Sequence, residues 1–133
     1  MLLDSYAWIE YFSGSGEGLK IRTYLKGEQV FTPTIVLAEI ARKYIREGFS
    51  EGEVRKRLLF IASKSLLIEI SMELAVEAAK AYMQLLKKAK KENLDTPSLA
   101  DAIVLASARM QNVSIVTGDI HFKGLKEAEY IGR

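Results

Sequence analysis

Residues 1–12 read MLLDSYAWIEYF. A short apolar run, MLLD, gives way to a helical pattern from Ser5 to Phe12, with one carboxylate at the junction. Asp4 is the only side-chain acid or base among residues 1–9, apart from the weakly acidic Tyr6. A strand that passes straight into a helix is the repeating unit of parallel α/β folds. Working outward, the same form recurs. In VFTPTIVLAEIA (30–41), Val30 and Phe31 read as a strand. Thr32-Pro33 reads as a helix start, with Thr as N-cap and Pro at the first helical position. That helix carries Ile35, Val36, Glu39, Ile40 and Tyr44 and stops near Gly48. In NVSIVTGD (112–119), Val113 to Val116 read as a strand ended by Thr117-Gly118.

The segments between complete the pattern. GSGEG at 14–18 is a break, followed by a helical stretch to about Lys26 and a stop at Gly27. Ser50 with Glu53 forms a capping-box signature for a helix to about Ala62. LLIEI at 66–70 reads as a buried strand. A long helix over 72–92 carries the stripe Leu74, Ala78, Ala81, Tyr82, Leu85 and Leu86. Its last turns hold Lys87, Lys88, Lys90 and Lys91, where cations suit the helix dipole. Thr96-Pro97 repeats the Thr-Pro start and launches a helix to about Met110, and Glu129–Ile131 closes as an edge strand. Short apolar strands alternating with helices predict a parallel sheet covered on both faces, in one domain spanning 1–133. In such a fold the functional site lies at the carboxyl ends of the strands.

Composition narrows the chemistry. The chain is 49% hydrophobic and 27% charged with a net charge of +2, a globular profile that does not by itself declare a nucleic-acid binder. With no Cys and one His, disulfide scaffolds, Cys-ligated zinc and His-rich metal sites are excluded. No uncharged run approaches the ~20 residues of a membrane span, and the opening lacks a basic leader. The expectation is a cytoplasmic protein with no membrane association.

Of seventeen acids, thirteen are Glu and four are Asp: Asp4, Asp95, Asp101 and Asp119. Glu39 is the only charged residue from Val30 to Ala41, and Asp101 is the only one from Thr96 to Ala108. Asp119 ends a stretch with no other charge. Four carboxylates thus stand alone in apolar surroundings, where burial is costly unless they are paired, protonated or bound to a metal. Asp4 and Asp119 fall at strand ends; Glu39 and Asp101 fall within the first two turns of the helices that follow the chain's two prolines. All four therefore converge on one rim of a parallel sheet. Clustered carboxylate oxygens suit hard divalent cations, which activate water and steady the leaving oxygen of a phosphodiester.

Each acid also has a plain structural reading. Glu39 has Arg42 and Lys43 at i+3 and i+4 and could be a helix ion pair. Asp4 could cap the helix it precedes, and Asp119 could be a turn acid. Asp101 has Pro97, Ser98, Val104 and Leu105 at i±3 and i±4, so no local partner explains it. Among the lesser residues, Ser5 reads foremost as a cap, and Thr117 could orient Asp119. His121 reads as a surface or packing residue, Asp95 as part of a turn. Arg42, Lys43 and Arg46 continue the helix that carries Glu39 and could meet a phosphate backbone.

The Asp-Ser after the first strand, the Ala-Glu of LAEI, the Ser-x-x-Asp-Ala of SLADA and the closing TGDIHF together resemble PIN-domain nucleases. The length and the DSYAWIEYF opening are most similar to the VapC-like toxin branch of toxin–antitoxin pairs. That resemblance covers essentially the whole chain. It implies an α/β/α sandwich and metal-dependent endoribonuclease activity. It further implies an acidic quartet of Asp4, Glu39, Asp101 and Asp119 holding one or two Mg²⁺ or Mn²⁺ ions. Ser5 and Thr117 become supporting hydroxyls, and a homodimer held inactive by an antitoxin is expected. Family membership leaves room for RNA maturation in place of toxicity. A non-catalytic RNA- or protein-binding module is the alternative from another class. A phosphoryl-transfer enzyme with Asp4 as nucleophile is disfavoured, because no DxD follows the first strand.

Overall fold

A computed structural model describes residues 1–132. Strands β1 (Leu2–Leu3), β2 (Phe31–Pro33), β3 (Leu66–Ile68), β4 (Ile115–Thr117) and β5 (Ala128–Tyr130) form a five-stranded sheet in the order β3-β2-β1-β4-β5. Every pairing is parallel, with Leu2 opposite both Phe31 and Ile115. Helices α1 (Ser5–Ser13), α2 (Gly16–Gly27), α3 (Thr34–Arg46), α4 (Glu51–Lys64), α5 (Met72–Glu92) and α6 (Leu99–Gln111) flank it. The result is the expected α/β/α sandwich. No helix among the described residues is long and apolar enough to cross a membrane.

The strand order places the site. From central β1 the chain builds outward through β2 and β3, then returns to the other side of β1 for β4 and β5. The direction of winding reverses between β1 and β4, and a crevice opens there at the carboxyl ends of the strands. Leu2, Leu3, Ile115 and Val116 fill the sheet centre and are fully buried. On α6, Ala102 through Ala108 are all buried, so this helix is enclosed and its N-terminus is fixed against the crevice.

A hydroxyl relay ties three elements together beneath α1. Trp8 Nε1 donates to Thr32 Oγ1 (3.1 Å), Thr32 Oγ1 donates to Ser65 Oγ (2.9 Å), and Ser65 Oγ donates to the Ile61 carbonyl (2.8 Å). Trp8 and Thr32 are both fully buried, so each polar atom needs this partner.

That relay explains one correction to the sequence reading. Thr32 is not a helix cap: it lies in β2 with its hydroxyl already committed, and α3 begins at Thr34 with no side-chain cap. Nor does Thr96 cap α6. Ser98 does, because Asp101 three residues on returns the reciprocal bond, whereas the third residue after Thr96 is Leu99. The expected buried strand at 66–70 is the three-residue edge strand β3, with Leu66 54% and Leu67 40% exposed. It pairs with β2 alone and lacks neighbours to cover it. The strand expected at 113–116 starts at Ile115, since Val113 still bonds back to the end of α6. The chain's two Asn residues, Asn93 and Asn112, both sit in the left-handed region as C-caps of α5 and α6.

Thr32→Val should orphan the Trp8 indole N–H inside the core while keeping the side-chain shape. The expected cost is about 1–3 kcal/mol in urea unfolding, and an unchanged midpoint would show that the relay carries no stability.

Candidate active site

Asp4 is the residue at which β1 becomes α1. Its backbone is extended, and its Oδ1 accepts the Ala7 N–H at 3.0 Å as the N-cap of α1. Its other oxygen accepts the hydroxyl of Thr117, the last residue of β4. Thr117 Oγ1 in turn accepts the Asp119 N–H at 3.0 Å, so one buried hydroxyl sets both strand-end acids. Asp119 Oδ1 accepts the His121 N–H at 2.9 Å and caps the 3₁₀ turn Ile120–Phe122.

Glu39 and Asp101 reach the same crevice from α3 and α6. Asp101 closes a capping box with Ser98: its Oδ2 accepts the Ser98 N–H at 2.9 Å, and its own N–H donates to Ser98 Oγ at 3.0 Å. It therefore has a local partner after all, though an uncharged one. Glu39 is not the helix ion pair its neighbours allowed. Lys43 bonds Glu47 at 2.6 Å, and Arg42 acts on Glu39 only by its charge. Ser5 is no cap, since Asp4 holds that position; its hydroxyl hydrogen-bonds Glu39 instead.

The four carboxylates line one cleft of about 400 Å³ together with Ser5, Tyr6, Ile9, Glu10 and Lys43. Their ionisation reflects the crowding. Burial, reinforced by the charges of Asp119 and Glu39, raises the Asp4 pKa from 3.8 to about 7 despite its two hydrogen bonds. Burial and then the Asp101 charge raise Glu39; burial and then the Asp119 charge raise Asp101. Among the described residues, no Lys or Arg forms an ion pair with any of the four.

His121 is the residue that the sequence reading placed outside the site. Its Nδ1 lies 3.0 Å from Asp119 Oδ1 and 3.9 Å from Asp101 Oδ2, and its Nε2 lies 2.8 Å from the Asp95 carbonyl oxygen. Burial opposes its positive charge, but the hydrogen bonds to Asp95 and Asp119 and the two acids outweigh it and raise the pKa. Asp95, read as a turn residue, thus anchors the ring through its backbone. The signal for His121 was available: it is the chain's single His, two residues beyond Asp119. Tyr6 and Glu10 carried none beyond their i, i+4 spacing on α1. Of the basic candidates, Lys43 lines the cleft, Arg42 lines the adjoining hollow with Glu39 and Ser98, and Arg46 is exposed one turn farther along α3.

A donor set of four clustered carboxylates, with one imidazole alongside, fits a hard divalent cation. Asp101, Asp119 and His121 bring ligand atoms within 4.8 Å of one another.

The model of the PIN domain matches residues 1–128. The chain belongs to the PIN-domain family. Solved structures share its fold at low sequence identity. A toxin–antitoxin complex from Klebsiella pneumoniae superposes with a TM-score of 0.67 at 21% identity, covering 96% of this chain and 93% of that one. VapBC2 from Rickettsia felis, bound to a DNA fragment of its promoter, gives 0.68 at 17% identity, covering 97% and 96%. VapC20 of Mycobacterium tuberculosis, a toxin that cleaves the sarcin–ricin loop, gives 0.61 at 16% identity, covering 85% and 84%. No curated protein sequence matches closely enough to compare. Within the PIN fold, the crevice between β1 and β4 is therefore the place where all four acids meet.

Because folding raises the Asp4 pKa, the folded state holds its proton more tightly than the unfolded chain does. This group's contribution is fully present below pH 3.8 and is lost as pH rises toward and through 7. In EDTA, Asp4→Asn keeps the cap and should melt higher than the native protein at pH 8, by about 2–4 kcal/mol of stability. The gap should close near pH 4; a gap independent of pH would assign the difference to packing. Asp101 separates its two roles by substitution. Asp101→Asn keeps the capping acceptor while removing repulsion and should raise the metal-free Tm, whereas Asp101→Ala also loses the box and should fall below Asp101→Asn by about 1 kcal/mol.

Proposed function

We propose that this PIN domain is a divalent-metal-dependent endoribonuclease acting as the toxin of a toxin–antitoxin pair. The observation that carries this reading is the convergence of Asp4, Glu39, Asp101 and Asp119 on one cleft with no Lys or Arg among the described residues paired to them. The four carboxylates would hold one or two Mg²⁺ or Mn²⁺ ions. Such ions supply a hydroxide nucleophile at neutral pH and offset charge on the scissile phosphate and its leaving oxygen.

The chain's own residues do the positioning. Thr117 and the Ala7 N–H fix both oxygens of Asp4, while Thr117 and Ser98 fix the backbones that present Asp119 and Asp101. Ser5 steadies Glu39. His121 stands against Asp119 and Asp101 and, when protonated, partly offsets their charge. Arg42, Lys43 and Arg46 lie along α3 leading away from Glu39, a line of cations suited to the RNA backbone beyond the reacting phosphate.

A cognate antitoxin in the cytoplasm is the partner this reading requires, and the toxin–antitoxin assemblies among the structural relatives support it. Self-association fits as well. Met72, Val76 and Met83 lie 89%, 56% and 57% exposed along one face of α5, an apolar strip suited to a homodimer.

Cleavage of a fluorophore–quencher RNA with Mg²⁺, Mn²⁺ or EDTA tests the nuclease. Metal-dependent cleavage is expected, abolished by EDTA and reduced about a hundred-fold or more in an Asp101→Asn protein purified identically. Equal rates in the two proteins would mean a contaminant and would remove the support for catalysis.

A further inference from the structure

The cleft that gathers the acids is not polar throughout. Tyr6, Ile9, Val104 and Phe122 line it beside the carboxylates. Val104 and Phe122 are 2% and 1% exposed and form its floor. Tyr6 and Ile9, one turn apart on α1 and half-buried, supply the apolar wall that a bound molecule would meet.

The position of Tyr6 is built in. Its ring lies against Gly118, where an added Cβ would fall 2.2 Å from Cε1 and 2.3 Å from Cζ. Glycine at 118 is what lets the ring lie there, so the turn that delivers Asp119 also seats the aromatic side chain beside it. A phosphodiester is bound by charge and hydrogen-bond donors and gains nothing from an aromatic wall. A nucleobase does, because every base has a π-face. Lys43, the one cation lining the cleft among the described residues, is already bonded to Glu47. Apart from the cations proposed above, direct attraction for a single phosphate is therefore weak in this cleft, and base contact adds affinity that the side-chain charges do not supply.

We propose that Tyr6 stacks an unpaired nucleobase next to the scissile phosphate, making it a specificity-determining residue for single-stranded RNA. The proposal rests on the ribonuclease reading above. A base in a duplex is already stacked on both faces and cannot offer one to Tyr6 without leaving the helix.

The test is binding, measured by fluorescence anisotropy in a Glu39→Gln background with Mg²⁺ present. The probes are a single-stranded RNA of about ten nucleotides and an abasic ribose-phosphate oligomer of the same length and charge. With Tyr6 in place the RNA should bind roughly ten-fold more tightly than the abasic oligomer. Tyr6→Leu should abolish that difference by weakening RNA binding alone, and Tyr6→Phe should preserve it. If the native ring already binds both probes equally, or Tyr6→Leu retains the preference, the proposal is overturned. Should Tyr6→Leu fail to fold, photocrosslinking of 4-thiouridine RNA to the unaltered protein decides: a crosslink at Tyr6 is expected, and crosslinks confined to other peptides overturn the stacking. Metal-dependent cleavage alongside indifferent Tyr6 variants would sink this proposal and leave the nuclease standing. Tyr6-dependent base preference without any cleavage would do the reverse.

Discussion

Four carboxylates confined to one cleft repel one another, and most of the surrounding structure holds them against that repulsion. The sheet does the first part. With β1 central and β4 at its side, Asp4 and Asp119 leave adjacent strands at the same edge. Leu2, Leu3, Ile115 and Val116 pack beneath them and cannot yield without opening the core. The helices do the second part. Glu39 and Asp101 ride on α3 and α6, and the apolar sides of these helices are buried in the same core. Hydrophobic burial thus sustains an electrostatic arrangement that is unfavourable on its own, as is common at functional sites.

Three of the acids also have structural duties. Asp4 caps α1, Asp101 completes the box on α6, and Asp119 caps the following 3₁₀ turn. The two readings of such residues, cap or ligand, are therefore not rivals here. A cap fixes one oxygen and the local backbone and leaves the carboxylate's charge facing the cleft. Each of these three accepts a backbone N–H that limits the directions in which repulsion could swing it away.

How much of this was legible in the sequence follows from the physics of each feature. Alternating short apolar runs and helices point to a parallel sheet, because a strand buried on both faces is apolar at successive positions. The lone acids were legible for the same reason: an uncompensated charge stands out against apolar neighbours. Thr32 and Thr96 misled because a Thr-Pro pair has the form of a helix start whether or not the Thr hydroxyl is free. Only the tertiary fold shows Thr32 bonded to Trp8 and Ser65. Leu66 and Leu67 misled because burial depends on what covers a strand, and sequence does not say that β3 is the edge. His121 and Tyr6 were overlooked because their places depend on distant partners, the Asp95 carbonyl and the Gly118 backbone.

The hydrogen bond between Thr117 and Asp4 joins residues 113 positions apart. Strand β1 therefore waits until residues 115–117 have been made before its neighbour β4 exists. A nascent chain can hold Asp4 and Glu39 while α6, β4 and Asp119 are still inside the ribosome, and such contacts between distant segments form late. Its two acids then lack both Asp101 and Asp119, and Asp4 lacks the Thr117 hydroxyl that orients it. The sheet order thus acts as a timing device: the assembled site can come into being only after β4 and Asp119 have been made.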